Sequence, residues 1–526
     1  MTLITRISLV AALVAAPLTA ASLAAQEPAA AAACPVDLNQ PKELITPYNI
    51  TRMRALQLAP GDERGKIIRD IMKVLGNPKV SSKNQQGVDL FAGQMLILWM
   101  AQPTAGETAT RGELNWGEPK DQVINLAKTA DSLFVTIETA YPACLSETKP
   151  WRMSKPWQDR INAAFRTMAA NQVDSAEYYA KQSQVLDRTS PYAHRVYAAI
   201  AQQRGSSADM MMHLEHALKL TEGDTTYIED RRAVQFQIGQ TGLEYAELQP
   251  EPKRTETLRR SAEVLIALAT EAPGAEATPY ALSGIGIAAT SLKDSSLFQK
   301  CFDLVDKNVD KYNDMSVLQA AICANRNGKT VDAVKLFEAT LTKNANSRDA
   351  LYNAAALMYE LRKGTEMLPL VHRLITIDPS NPDNTSLYAY AYNVLNEQWK
   401  PPTPAPAPAP APARPGARPA PAAAPPPSPY ADSVAKYMKA ADDMPHRLVI
   451  VEFVRYADRA VVKGEIENRS KAAKTYEVTF ELLDIAGAVV DTQVGKIENL
   501  AAGSTGSFEI KSDKPKIAAW RYAPIK

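Results

Sequence analysis

Histidine is scarce in this sequence, and only His194, His213, His216, His372 and His446 are present. Imidazole ligates metals and moves protons near neutral pH, so these five are the first residues to weigh. His213 and His216 stand three apart with Glu215 between them. On a helix that spacing places both rings on one face, which two ligands of a metal site require. The zinc-protease pattern is His-Glu-x-x-His, however, and this segment reads His-Leu-Glu-His. The pair is therefore read as histidines on a helix surface or groove, and no metal ligand is assigned. The carboxylate pairs Glu229-Asp230 and Asp442-Asp443 fall at apparent helix starts, where negative charge suits the N-terminal dipole. A glycine-rich phosphate loop, a Gly-x-Ser-x-Gly elbow and a Cys-x-x-Cys pair are all missing from the sequence. No catalytic residue and no cofactor are assigned.

Cys34, Cys144, Cys301 and Cys323 are the four cysteines. In an oxidising compartment they permit two disulfides in any of three connectivities; in a reducing one they are buried thiols. Cys34 also raises the question of lipidation, but Ala31, Ala32 and Ala33 precede it without the leucine that lipidation signals carry, and Gln26 and Glu27 separate it from the apolar run. That run is part of a secretory signal: Arg6 supplies positive charge, residues 7–16 are apolar, Pro17 breaks them, and small residues crowd 20–25. Cleavage near Ala24 or Ala25 is expected, the alternative being an uncleaved anchor. No later segment is long enough to cross a bilayer; residues 94–101, the most apolar, read as a buried helix. The formal net charge is +1, which provides no field to recruit nucleic acid or an anionic surface.

The elements that must carry any site are mainly helical. Residues 63–75, 87–100 and 121–140 place apolar residues three and four apart, separated by Pro78, by a loop from Pro103 to Pro119, and by Pro142. From 157 to 399 the pattern becomes periodic. Helices are predicted over 175–186, 192–203, 208–220, 317–325, 331–342, 350–361 and 367–377, with turns at Arg204-Gly205, Asn327-Gly328 and Lys363-Gly364. Ala176 and Met210 hold equivalent places 34 residues apart, as do Ala333 and Met367.

This pattern resembles the tetratricopeptide (TPR) repeat family. Val317, Ala320, Ala321, Ala333 and Phe337 fit its signature in one unit, Leu351, Ala354, Ala355 and Pro379 in another, and His194, Tyr197, Ala198, Gly205 and Ala217 in a third. The resemblance covers about 220 residues and implies stacked helix pairs with a concave groove lined by the first helix of each pair. Carried onto this sequence, the register implies a protein-binding groove of Arg195, Gln202, Asn325, Arg326, Tyr352 and Tyr359. The clamp that some relatives use for acidic C-terminal peptides is not implied. Its positions hold Ile161, Arg195, Leu318 and Tyr352, then Phe165, Ala199, Ile322 and Ala356.

Residues 400–429 change to Pro-Ala alternation, a semi-rigid polyproline spacer whose expected role is reach. After a short helix over 432–441 the hydrophobic period becomes two, and strands are predicted over 448–454, 460–467, 475–483, 489–497 and 507–510. Tyr476, Val478, Phe480 and Leu482 share one face of the third strand, as in a half-buried sandwich strand. Gly464, Ile466 and Asn468, followed by Phe480, Leu482, Asp484 and Gly487, resemble the FxLyD domain, an immunoglobulin-like β-sandwich of exported bacterial proteins; Leu483 stands where that family often has an aromatic residue.

The expected organisation is a signal peptide (1–25), an extended lead-in (26–50), an N-terminal helical region (51–150), TPR-like repeats (151–399), the linker (400–429) and the sandwich (430–526). The fold class is multidomain, an all-α helical-repeat solenoid plus a small all-β immunoglobulin-like sandwich. The function expected is a non-catalytic scaffold of the bacterial envelope, periplasmic or at the cell surface, binding protein or peptide partners and neither nucleic acid nor, once the signal is removed, the bilayer core. An envelope hydrolase and a self-associating assembly subunit are the alternatives.

Overall fold

The computed structural model describes residues 33–46, 51–401 and 426–525. The signal peptide, most of the extended lead-in and nearly all of the Pro/Ala linker lie outside the described residues. The described chain divides into two compact units, one through Thr241 and one from Gly242.

The first unit opens with helices α1 (Lys42–Thr46), α2 (Arg52–Gln57), α3 (Asp62–Leu75), α4 (Pro78–Ser81) and α5 (Gln85–Met100). A hairpin of β1 (Thr108–Thr110) and β2 (Val123–Asn125) follows, then α6 (Leu126–Ala140), α7 (Leu145–Arg152), α8 (Lys155–Ala169), α9 (Val173–Leu186), α10 (Tyr192–Gln203) and α11 (Ser207–Leu220). Helix α12 (Ile228–Ala246) begins in this unit. Asn84 starts α5 by accepting from the Gly87 amide at 2.8 Å. Val88, Leu90, Phe91, Met95, Leu96 and Ile97 bury the helix on nearly every side, which explains its run of apolar residues. Among the described residues no helix is long and apolar enough to cross a membrane. The single helix expected over 121–140 is instead a strand and a helix. Val123 and Ile124 are β-branched and pair with Thr110 and Ala109, and Asn125 caps α6 by accepting from Lys128 N at 2.9 Å.

Helix α6 approaches α5 closely because residue 93 is glycine: a Cβ there would lie 2.6 Å from the Phe134 ring. Alanine would gain about 1 kcal/mol in helix propensity, against about 1–3 kcal/mol for overpacking. Gly93→Ala should therefore lower the urea midpoint. A single hydrophobic core runs from Leu38 through Phe91, Phe134 and Trp157 to Ile200, so the N-terminal helices and the first repeat-like helices bury one another. Cys34 and Cys144 close this unit with a disulfide spanning 110 residues. The bond occupies the Cys34 sulfur that a lipid thioether would need.

The second unit continues with α13 (Lys253–Glu271), α14 (Thr278–Leu292), α15 (Ser295–Asp306), α16 (Asp314–Arg326), α17 (Thr330–Lys343), α18 (Arg348–Glu360), α19 (Gly364–Ile377), α20 (Pro382–Gln398) and α21 (Ala431–Asp442). The starts of α16, α18 and α20 are 34 residues apart, as are those of α17 and α19. In the first unit α9 and α11 keep the same interval. Ala320, Ala321, Ala354 and Ala355 are fully buried, since small residues let neighbouring helices approach. Cys301 on α15 and Cys323 on α16 form the second disulfide. Helix α21 packs on α20 through Tyr437, which stacks on Tyr388 at 4.7 Å and on Tyr392 at 5.7 Å. It thereby supplies the second helix that the last first helix lacks. Asp442 and Asp443 fall at the end of α21, not at a helix start, and Asp443 pairs with Lys439.

Two three-stranded antiparallel sheets form the β domain, in the orders β3-β4-β7 and β6-β5-β8. Their strands are β3 (His446–Arg455), β4 (Ala460–Asn468), β5 (Lys474–Leu483), β6 (Val489–Leu500), β7 (Thr505–Ser512) and β8 (Ala519–Tyr522). Tyr476, Val478, Phe480 and Leu482 are buried together, as their alternation predicts. Phe508 fits between the sheets only because Gly464 and Gly495 face it, a Cβ at either reaching within 2.4 or 2.7 Å of its ring. Buried Asn468 donates to Ala472 O and Leu500 O and accepts from Tyr476 Oη at 2.8 Å, pinning the loop between β4 and β5. Burial, reinforced by Lys474, lowers the pKa of His446. A histidine with a depressed folded pKa contributes stability above about pH 6.5 that is lost as pH falls. Urea midpoints should therefore drop between about pH 7 and 5, and His446→Gln should flatten that slope.

The reach expected of the 400–429 spacer is corrected, because the sandwich does not stand away from the helices. The β domain rests on the turns that join successive repeats. Asn344 and Asp378, equivalent residues 34 apart, both reach it: Asn344 Nδ2 donates to Ala518 O at 3.1 Å, and the Asp378 carboxylate accepts from Tyr522 Oη. Arg455 of β3 pairs with Asp314 at the head of α16. Leu448 N donates to Ser380 O at 3.0 Å, and Tyr280 Oη donates to Arg455 O at 3.1 Å.

Candidate functional site

In the second unit the first helices present a recurring face. Leu318, Tyr352 and Ser386 form one row at 34-residue intervals, and Asn325, Tyr359 and Asn393 form another. Tyr352 and Tyr359 are half-buried, Arg348 lies over the Tyr352 ring at 4.9 Å, and Tyr359 meets Tyr390 at 5.4 Å. Arg326 is exposed and donates to Thr290 Oγ1 of α14 at 3.1 Å. A cavity of about 110 Å³ opens beside it between α14 and α16, lined by Gly286, Ile287, Gln319, Ile322 and Arg326. Asn325, Arg326, Tyr352 and Tyr359 thus share one set of stacked helices. The register also adds Ser386 and Asn393, which a count of 34 from Tyr352 and Tyr359 would have found, and Tyr390 joins them through its contact with Tyr359.

Arg195 and Gln202 belong to the first unit. Gln202 is exposed on α10. Arg195 is engaged within the fold: it pairs with Asp230 of α12, which also accepts from Tyr192 Oη at 2.9 Å. Asp230 therefore does more than neutralise a helix start, since it ties α12 to α10.

The same region holds a histidine cluster. His194 of α10 meets His213 and His216 of α11, with one ring nitrogen of each within 4.8 Å of the other two. His194 Nδ1 and His213 Nδ1 are 3.2 Å apart. On its other side His194 Nε2 lies 3.2 Å from Gln184 Nε2, and the Tyr197 ring packs 5.2 Å from His213. Burial, then the neighbouring His213 and His216, push His194 down to about 4. Burial, with His216 next, also lowers His213. Both are neutral imidazoles at neutral pH. The sequence showed only the pair on α11, because His194 is brought in by a helix hairpin and not by local spacing. The other two histidines are elsewhere, His372 beside Tyr388 and His446 against Tyr476.

No family model matches the chain, and no curated protein matches it. Solved structures similar to it include PilF of Pseudomonas aeruginosa, at 12% identity over 42% of this chain and 90% of that one, TM-score 0.28. YrrB, a TPR protein with an unusual peptide-binding site, matches at 14% identity over 48% and 95%, TM-score 0.23. A tetratricopeptide repeat protein of Parabacteroides merdae matches at 14% over 46% and 88%, TM-score 0.27. The TPR-like description rests on the paired helices and the 34-residue interval of this chain itself, and the fold is a helical-repeat solenoid joined to a small β-sandwich.

Proposed function

We propose that the chain is an exported, non-catalytic adaptor of the bacterial envelope that holds a protein or peptide partner on the first-helix face of its TPR-like repeats. The observation that carries this reading is the first-helix face on which Tyr352 stands in a row with Leu318 and Ser386, and Tyr359 in a row with Asn325 and Asn393, at 34-residue intervals. Half-buried tyrosines combine apolar area with a polar tip, and such residues anchor protein interfaces. Export is supported by the signal-like first 25 residues and by the engagement of all four cysteines in disulfides. An FxLyD-like identity for the β domain accords with the structural duties of Gly464, Asn468 and Asp484, the last accepting from the Ala486 and Ala488 amides to form its turn.

The test is affinity capture from solubilised envelope with the whole mature chain and with its Tyr352→Ala/Tyr359→Ala variant. A stoichiometric partner retained by the first and lost by the second supports the adaptor reading. Equal capture by both moves the binding surface elsewhere, and no stoichiometric partner on either counts against it. Alkylation of free thiols in the denatured, unreduced protein tests compartment: four protected cysteines fit export, and four reactive ones contradict it.

A further inference from the structure

We propose that His194, His213 and His216 form a binding site for a borderline divalent transition metal, probed here with zinc(II), which fastens α10 to α11. Three of the five histidines of the whole chain converge here from two helices. His213 and His216, at i and i+3, face one side of α11, and His194 comes from the antiparallel α10. The 3.2 Å between the Nδ1 atoms of His194 and His213 is close to the edge of about 3.3 Å expected between two ligands of a tetrahedral zinc with Zn–N bonds of about 2.0–2.1 Å. His216 is the exposed member, with a ring nitrogen within 4.8 Å of one on each of the others, and its movement inward would close the remaining two edges.

The surroundings suit the same ligand. Gln184 lies against the outer nitrogen of His194 and also receives the Tyr197 hydroxyl at 3.4 Å. With its amide turned over, Gln184 Oε1 accepts from His194 Nε2–H and Nε2 donates to Tyr197. His194 is then fixed in the tautomer that leaves Nδ1 free toward the cluster, the duty of an outer hydrogen-bond partner at a metal site. The Tyr197 ring, 6.0 Å from His194 and 5.2 Å from His213, walls one side. Three imidazoles without a carboxylate select zinc, copper or nickel over magnesium or calcium. All four thiols are in disulfides, so they do not compete for the ion. Three protein ligands leave a fourth position for water or for a donor from a partner.

The experiment is zinc titration of the untagged, disulfide-intact chain by calorimetry, with metal content measured after dialysis and cobalt(II) absorption used to report coordination. One zinc per chain is expected, unaffected by excess magnesium. His194→Gln and His213→Gln should each weaken it about 100-fold or more, beyond the effect usual for an outer partner, while His372→Gln leaves it unchanged. Circular dichroism of the metal-free variants shows whether they fold. Should either fail, His216→Gln, at the exposed position, carries the same expectation. No zinc uptake at micromolar concentration, or one zinc held equally by folded variants of all three histidines, overturns the proposal.

Discussion

Replacing Arg152 by methionine should destabilise the first unit by about 3 kcal/mol or more, because removing one partner of a buried ion pair strands the other charge. Arg152 is almost fully buried and joins three helices. It meets Asp131 and Glu138 of α6 at 2.8 Å each, and donates to Leu186 O at the end of α9 at 2.9 Å. Its guanidinium also lies over the Phe134 ring at 5.2 Å. Asp131 has a second arginine, Arg188, whose side chain is 61% exposed. An exposed partner contributes about 0–1 kcal/mol, so Arg188→Ala is the matched control. Urea titration by intrinsic fluorescence, to which Trp99, Trp116, Trp151 and Trp157 of this unit contribute, should separate the two. Equal small effects would mean that the arginine does not hold α6, α7 and α9 together.

Asp378→Ala should have an effect of similar size, about 3–5 kcal/mol, and should loosen the β domain from the repeats. The Asp378 side chain is completely buried. It receives Arg348 Nε at 3.0 Å, Asn381 Nδ2 at 3.3 Å and the Tyr522 hydroxyl. Alanine leaves the buried Tyr522 phenol without its acceptor and removes the buried carboxylate that Arg348 meets, so that this arginine keeps only Asp349 and Asn384. Hydrogen exchange supplies the second readout: the Ser380 and Leu448 amides, bonded across the junction to Tyr522 Oη and Ser380 O, should lose protection. Arg447→Ala removes only the exposed contact with Asp383 and should change stability by less than about 1 kcal/mol. Unchanged exchange in Asp378→Ala would show that the domain is held by other contacts.

Much of this fold was legible in the sequence, for physical reasons that can be named. A 34-residue interval survives in the positions of Ala176, Met210, Ala333 and Met367, of which Ala176, Ala333 and Met367 are fully buried, because stacked helices repeat a packing position from unit to unit. Helix α10 matches its predicted bounds, Tyr192–Gln203, and the inward face of β5 was set by alternation alone. The hairpin of β1 and β2 was hidden because each strand has three residues, too short for a period to register. Strand β8 escaped for a like reason: four residues, Ala519–Tyr522, whose burial comes from pairing with distant β5.

The candidate site divided along the same line. Tyr352, Tyr359, Asn325 and Arg326 followed from register and fall on stacked first helices. Arg195 also followed from register, but its partner Asp230 lies 35 residues away and engages it in the fold. His194 was passed over because its meaning depends on α11, and the docking of the sandwich because Asp378 and Tyr522 are 144 residues apart. Local period reports which face of an element is buried; it carries no information on which distant side chain that face will meet.

A protein partner seated on the first-helix face of the second unit, as proposed, would touch Tyr359 and not the second helices. A photo-crosslinking residue placed at Tyr359, on that face, and in a separate protein at Val331, 69% exposed on the second helix α17, tests it directly in intact cells. A discrete crosslinked partner is expected at 359 and none at 331. A partner crosslinked equally from both positions, or from 331 alone, would contradict it.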